Sequence, residues 1–293
     1  MTIRLGMMTA AKAATAPLGE RAGAVAEFIA GQVCDDGGFS DRNRTSDLYY
    51  TMFGVEASLA LGIKIDHEKA AGFLQKFDTG KELDLVHLAC LIRCWADICE
   101  DGIDSVLTEA LLEQVNRFGC PEGGYNTLAA SAIGSAYGCF LAMGAYQDLG
   151  VELKDKQGIL RCIDSLKLND GSYSNDTAIQ LGTTPATAAA MVARHYLGKN
   201  TGADTVDWLL GNLVPDGGFT ALRGAATADM LSTATAVHAL AVAGVCLDEI
   251  KQSCIDLIER LWCGGGFCGD SEDRTADCEY TYYALLAMGH LYR

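Results

Sequence analysis

The sequence predicts an all-α protein built from six helical hairpins. Three observations carry this prediction. A Gly-Gly-aromatic phrase recurs along the 293 residues, a short amphipathic segment precedes each copy, and a longer apolar segment follows it. The phrase reads Asp36-Gly37-Gly38-Phe39, Glu122-Gly123-Gly124-Tyr125, Asp170-Gly171-Ser172-Tyr173, Asp216-Gly217-Gly218-Phe219 and Gly264-Gly265-Gly266-Phe267. Its aromatics at 39, 125, 173, 219 and 267 are separated by 86, 48, 46 and 48 residues. The first gap is close to double the others, so a degenerate sixth unit is expected between residues 63 and 105. A fixed period of this length marks stacked supersecondary units, each too small to bury its apolar face alone.

The first helix of each unit is expected at Ala24 to Gln32, Ala71 to Phe77, Ala110 to Phe118, Ile159 to Leu166, Thr205 to Leu213 and Ser253 to Trp262. Apolar residues recur there at three- and four-residue steps, as in a helix with one face on a core. The second helix is expected at Ser46 to Gly62, Asp84 to Cys99, Ser131 to Gly144, Thr183 to Gly198, Asp229 to Gly244 and Asp277 to Gly289. Five of these close on a glycine, which suits the left-handed residue that ends many helices. They are apolar on most faces and belong to an inner layer, whereas the more charged first helices belong outside. Such pairs stack into an open solenoid or curl into a closed barrel. Closure is favoured because neither end of the chain reads as a polar capping repeat. No linker separates the units, so residues 1–293 are expected to form one domain.

With 49% hydrophobic residues, 20% charged residues and 4 prolines, the chain is not a disordered one. A net charge of −16 disfavours nucleic acid and anionic membrane surfaces as partners. No run is long enough for a membrane span, and Met1 to Arg21 lacks the continuous apolar core of a signal peptide. Several of the 12 cysteines, including Cys90, Cys94, Cys139 and Cys162, sit in apolar helical stretches, where a free thiol behaves as a small hydrophobe. A reduced, cytoplasmic protein is expected.

The Asp-Gly-Gly-Phe turn followed by Ser46-Asp47-Leu48-Tyr49-Tyr50-Thr51 resembles the prenyltransferase and squalene-cyclase repeat. The Asp-x-x-x-Thr part of that signature matches at Asp47/Thr51, Asp229/Thr233 and Asp277/Thr281. Softer versions stand at Thr183/Thr187 and Ser131/Ser135, and the degenerate unit reads Asp84-Leu85-Val86-His87. The resemblance runs from about Gly19 to the end. It implies the closed (α/α)6 toroid of that family, which includes protein prenyltransferase β subunits, with an isoprenoid site in the central cavity.

The chemistry-bearing motifs of the family are incomplete. The zinc site of protein prenyltransferases uses Asp-x-Cys and a later His. Here Asp229 is followed by Leu231 in place of the cysteine, and Tyr280 stands in place of the histidine. The family's diphosphate-binding arginine matches Arg223, and its neighbouring lysine is replaced by Ala226. The Asp-x-Asp-Asp acid of the cyclases is missing; the nearest string is Ser174-Asn175-Asp176-Thr177-Ala178.

Asp47, Asp84, Asp229 and Asp277 each open an inner helix, where a carboxylate is a good N-cap. The functional reading gathers them at one rim, with six helix N-termini favouring an anion there. Carboxylates would then suit a diphosphate carried with Mg²⁺. On that reading the candidate catalytic residues are Asp229, Asp277, Asp47 and Tyr280. Arg223, Arg42 and Arg44 are the candidate diphosphate ligands, since arginine's fork matches two phosphate oxygens. Tyr50, Phe53 and Tyr283 are candidates for the wall of a prenyl-binding cavity. A metal, Mg²⁺ or Zn²⁺, would use Asp229, Asp84 and His87. The expected function is an isoprenoid-diphosphate-binding enzyme of prenyl transfer or terpenoid cyclisation. The alternative is a non-catalytic binding or scaffold toroid that acts with a helical partner subunit.

Overall fold

The computed structural model describes residues 1–99 and 101–293. Helix α1 spans Ile3–Ala13 and the short α2 spans Thr15–Leu18. Six outer–inner pairs follow. They are α3 (Arg21–Ala30) with α4 (Leu48–Leu61), α5 (His67–Leu74) with α6 (Leu85–Ile98), and α7 (Ser105–Asn116) with α8 (Ala136–Asp148). The rest are α9 (Lys156–Ser165) with α10 (Thr184–Tyr196), α11 (Ala203–Leu210) with α12 (Met230–Val242), and α13 (Asp248–Arg260) with α14 (Cys278–Leu291). Each inner helix packs on the next, and α14 packs on α4, so the ring closes. The expected (α/α)6 toroid is thus the observed fold. Short antiparallel strands decorate two turns: β1 (Phe39–Ser40) with β2 (Ser46–Asp47), and β3 (Trp262–Cys263), β4 (Gly266–Cys268) and β5 (Ala276–Asp277) in that order.

One bond explains the repeated phrase. The backbone N–H of the turn aromatic donates to a side chain in the first turn of the following inner helix. Phe39 donates to Thr51 Oγ1 at 2.8 Å, Tyr173 to Thr187 at 3.0 Å, Phe219 to Thr233 at 2.9 Å and Phe267 to Thr281 at 3.1 Å. Tyr125 donates to the Cys139 thiol at 3.4 Å. These Thr side chains are fully buried, so no water competes for the donor. Three residues on, the inner helix is small: Gly54, Ala142, Ala190, Ala236 and Ala284 are all buried. A Cβ on Gly54 would lie 2.1 Å from the Phe39 ring, so the aromatic lies directly on the helix backbone there.

The aspartate of the signature is a cap. Asp47, Asp84, Asp229 and Asp277 accept from the N–H of Tyr50, His87, Ser232 and Tyr280 at 2.7–3.0 Å. Ser135 and Thr183 cap α8 and α10 in the same way. The pair equivalent to Asp47/Thr51 in the third unit is therefore Ser135/Cys139, not Ser131/Ser135. Helix α8 starts later than expected because residues 126–134 form the loop, and it runs through Gly144 to Asp148. Gly62, Gly198 and Gly244 do take the left-handed conformation after their helices. Gly289 does not; it lies inside α14.

Helix α1 has no counterpart in the repeat. It packs on α14, α4 and α8 and closes the C-terminal end of the ring. A Cβ on Gly289 would lie 1.8 Å from the Ala10 carbonyl oxygen, so this glycine is what lets α1 and α14 touch. Arg4 pairs with Asp97 at 2.5 Å and Asp148 at 3.0 Å, and the Tyr196 hydroxyl donates to the Thr2 carbonyl at 3.0 Å. Above this layer, Arg93 stands 3.5 Å from Asp148 and 3.9 Å from Glu56. Glu56 is completely buried and neither of its oxygens has a hydrogen-bond partner. Burial, opposed by Arg93, pushes its carboxyl up to about 8, which favours the protonated form at neutral pH.

Two outcomes follow from these contacts. Thr233→Val orphans the buried Phe219 N–H and should cost about 1–3 kcal/mol in denaturant unfolding. Thr235→Val is the control: that hydroxyl bonds only carbonyls of its own helix, Leu231 and Ser232, and the loss should be much smaller. For Glu56, the folded state holds a proton that the unfolded chain releases above its ordinary value of 4.5. The stability from that proton is complete below the unfolded value and is lost as pH rises through the folded one. From about pH 6 to 8, wild-type stability should therefore fall by roughly 2 kcal/mol more than that of Glu56→Gln. Parallel thermal-melt curves would mean that Glu56 is already ionised in the fold.

Candidate functional site

The ring encloses a cavity of about 300 Å³. Its walls carry Tyr49 and Phe53 from α4, Tyr137 and Phe140 from α8, and Tyr283 from α14. Phe53 sits 5.0 Å from Tyr49, edge-on, and 5.3 Å from Tyr283, tilted, between ring centroids, so three of these rings form one continuous surface. Opposite them, Ala186, Ala188 and Ala189 of α10 line the cavity with small side chains, which is where its width comes from. Asn175, Pro185 and Leu231 mark the end near the inner-helix N-termini. Arg93, Asp148, His238 and the Met7 side chain of α1 line it as well.

A proton-bearing pair reaches this space through Tyr49. The Tyr49 hydroxyl, on the cavity wall, donates to Glu279 Oε1 at 2.7 Å. Burial first, then the nearby Asp277, pushes the Glu279 carboxyl up to about 6, against the pull of the Tyr49 hydrogen bond. A carboxyl poised there exchanges its proton near neutral pH.

The rim residues fall into separate groups. Arg42, Asp277 and Tyr280 come together at the seam between α4 and α14. Arg42 bonds Asp277 at 2.9 Å, pairs also with Asp273, and lies 5.6 Å above the Tyr280 ring. Its fork is thus occupied by two carboxylates. Burial raises the Asp277 carboxyl, against the Tyr280 N–H and Arg42. Burial likewise raises Asp229, against the N–H and hydroxyl of Ser232. Asp47 caps α4. Tyr50 is half-buried on the same seam, Tyr280 packs against Gly269, and neither lines the cavity, whereas Phe53 and Tyr283 do.

Arg223 is not brought to the cavity. It lies 5.5 Å over the Trp208 ring of outer helix α11 and donates to the Trp208 carbonyl. Arg44 is exposed at a turn tip with φ 63°. The expected metal set does not converge either. His87 Nδ1 bonds Asp84 at 2.9 Å on α6, but Asp229 caps α12, which packs on α10 and α14 and not on α6. Among the described residues, no group of three or more His, Cys, Asp or Glu side chains is placed to hold a metal ion. The residues present do not fit the family's zinc site, since Leu231 and Tyr280 offer no ligand nitrogen or thiolate.

Sequence reasoning missed Glu279, Glu56, Arg93, Asp148 and the His238–His290 pair. His238 is buried and also lines the cavity. The signal was present for Glu56 and Arg93, each a charged residue inside an apolar inner-helix segment.

The chain matches the prenyltransferase alpha-alpha toroid domain over residues 18–92, 86–204 and 186–292. No curated protein matches it. Among solved structures it is similar to the type II terpene cyclase MstE from Scytonema, with TM-score 0.61 and 14% identity over 94% of this chain and 96% of that one. A variant of that cyclase in complex with geranylgeranyl dihydroxybenzoate, its substrate, gives TM-score 0.59 and 14% identity over 96% and 97%. A protein from Actinoplanes gives TM-score 0.61 and 15% identity over 93% and 98%. At such identities these structures share the fold alone. All 12 cysteines are free, and among the described residues no helix is long and apolar enough to cross a membrane. By the toroid-domain match across all six hairpins, this chain belongs to the prenyltransferase alpha-alpha toroid family.

Proposed function

We propose that the chain is an enzyme that binds an isoprenoid in the central cavity and cyclises or rearranges its prenyl chain. The observation that carries this is the wall of five aromatic rings around a cavity of about 300 Å³. That volume is at the lower end for small-molecule pockets. Negative ring faces suit both an unsaturated chain and a positive charge developing along it. The Glu279 carboxyl, which accepts from the Tyr49 hydroxyl of this wall, is a group able to take up or return a proton. MstE, of the same fold, has been solved with a geranylgeranyl substrate, which fits this assignment.

Transfer from a prenyl diphosphate is the less favoured reaction. Its departing anion needs cations at the rim, and Arg42 is held by Asp273 and Asp277 while Arg223 lies on Trp208. No metal is assigned a step, because the candidate ligands are dispersed around the ring.

The reading is tested by thermal melts with geranylgeraniol and with geranylgeranyl diphosphate. Geranylgeraniol should raise Tm by roughly 4–8 °C at about a hundredfold excess over Kd, and geranylgeranyl diphosphate should raise it by less, since the Arg42 and Arg223 side chains are already engaged. Ala189→Phe, which fills the wall opposite the rings, should abolish both shifts, and Arg223→Ala should leave them intact. No shift with either compound would remove the isoprenoid assignment and leave the toroid as a scaffold for a partner subunit.

A further inference from the structure

At its deep end the cavity stops being apolar. Arg93 reaches it from α6 with a side chain only 12% exposed. A guanidinium carries five N–H donors, and buried charges are ordinarily matched by hydrogen bonds. The acceptors around Arg93 are distant: Asp148 at 3.5 Å, Glu56 at 3.9 Å and the Met7 sulfur at 4.0 Å. No oxygen accepts a hydrogen bond from it among the described residues, so donors remain for whatever enters the cavity.

His238 lines the same space from α12. Its Nδ1 is 2.9 Å from Nε2 of His290, and its own Nε2 is buried without a partner. Burial, with His290 and Arg93 nearby, holds this imidazole far below its ordinary value, so it is neutral at physiological pH. The bond to His290 runs in one of two senses. If His290 donates, His238 Nε2 carries the proton; if His238 donates, Nε2 offers a lone pair.

We propose that Arg93 and His238 form a subsite for a hydroxyl group on the deep end of the ligand, so that the ligand is an isoprenoid alcohol or phenol rather than a plain hydrocarbon. This rests on the isoprenoid reading above and adds the functional group to it. A hydroxyl oxygen accepts from Arg93 and meets His238 in either tautomer, because it both donates and accepts. A carbonyl serves only one of the two. Charge selects against an acid. Arg4 and Arg93 at most balance Asp97, Asp148 and the Glu56 carboxyl, so a carboxylate or phosphate would add an uncompensated negative charge in a buried place.

The test is isothermal titration of the full chain with farnesol and with farnesene, two uncharged C15 compounds that differ by the hydroxyl. Without a subsite the alcohol binds more weakly, since it loses hydration on entry. With the subsite it should bind at least about tenfold more tightly. The double variant Arg93→Met with Asp148→Asn keeps the buried charge balanced. It should lose that preference, with farnesol and farnesene binding within about threefold of each other. His238→Phe should also reduce the preference. A folding defect in these variants would be seen by circular dichroism. The wild-type Arg93 Nε–H resonance then decides, and it should move with farnesol and stay with farnesene. Farnesene binding as tightly as farnesol overturns the subsite and leaves the isoprenoid reading intact. A farnesol preference that survives both variants, or an unmoved Arg93 resonance, places the hydroxyl elsewhere and also overturns it. Binding of neither compound overturns both.

Discussion

A single hydrogen bond, repeated around the ring, sets the geometry on which the rest depends. The turn aromatic gives its backbone N–H to a buried side chain in the first turn of the next inner helix. That bond fixes the angle at which each outer helix hands the chain to an inner one. It also lays the aromatic ring against a helix that must be small at that point, as Gly54 and its alanine equivalents are. Because the donor has no water to turn to, the turn has no second arrangement of similar energy. Five nearly identical turns impose a nearly constant rotation per unit, and the sixth unit follows its neighbours. Closure of α14 onto α4 is the sum of those rotations.

The same economy governs the rim. Acidic residues that look like a metal or diphosphate site are occupied by capping: each carboxylate is aimed at the N–H groups of its own helix. The one rim arginine close to the aspartates is held by two of them. The polar groups with spare bonding capacity lie at the other end, under the apolar wall, where Arg93 and His238 meet the cavity. The site is therefore polarised along the barrel axis, with its satisfied charges at the rim and its unsatisfied ones in depth.

Much of this architecture was legible in the sequence. The Gly-Gly-aromatic phrase is local, and its bond partners lie 12 or 14 residues away, so spacing alone located both helices of a unit. The aspartate caps were legible for the same reason. Errors arose where the deciding contact is distant. Residues 131–134, the end of the loop before α8, read as helix until Ser135 is seen to cap α8. Gly289 reads as a helix end until Ala10 is seen against it. Arg223 sits at the family's arginine position, but its direction is set by Trp208 on another helix. Arg4, Arg93, Asp97, Asp148 and Glu56 are visible as odd charges in apolar stretches. Their convergence from α1, α4, α6 and α8 is not a property of any one stretch.

Helix α1 precedes the six hairpins in the chain, yet its largest packing surface is α14, the inner helix of the sixth. Thr9 and Arg293 are joined by a hydrogen bond across 284 positions of the chain. Hairpins can accumulate one by one as the nascent polypeptide leaves the ribosome, but the stopper cannot seat until the final hairpin has appeared. Through that interval Met7, Met8 and Ala11 have no complete partner surface, and the chain carries an uncovered greasy segment ahead of its hairpins. Synthesis should thus be the stage at which this protein most needs a chaperone, and slow steps late in its refolding should report on α1 docking rather than on hairpin formation.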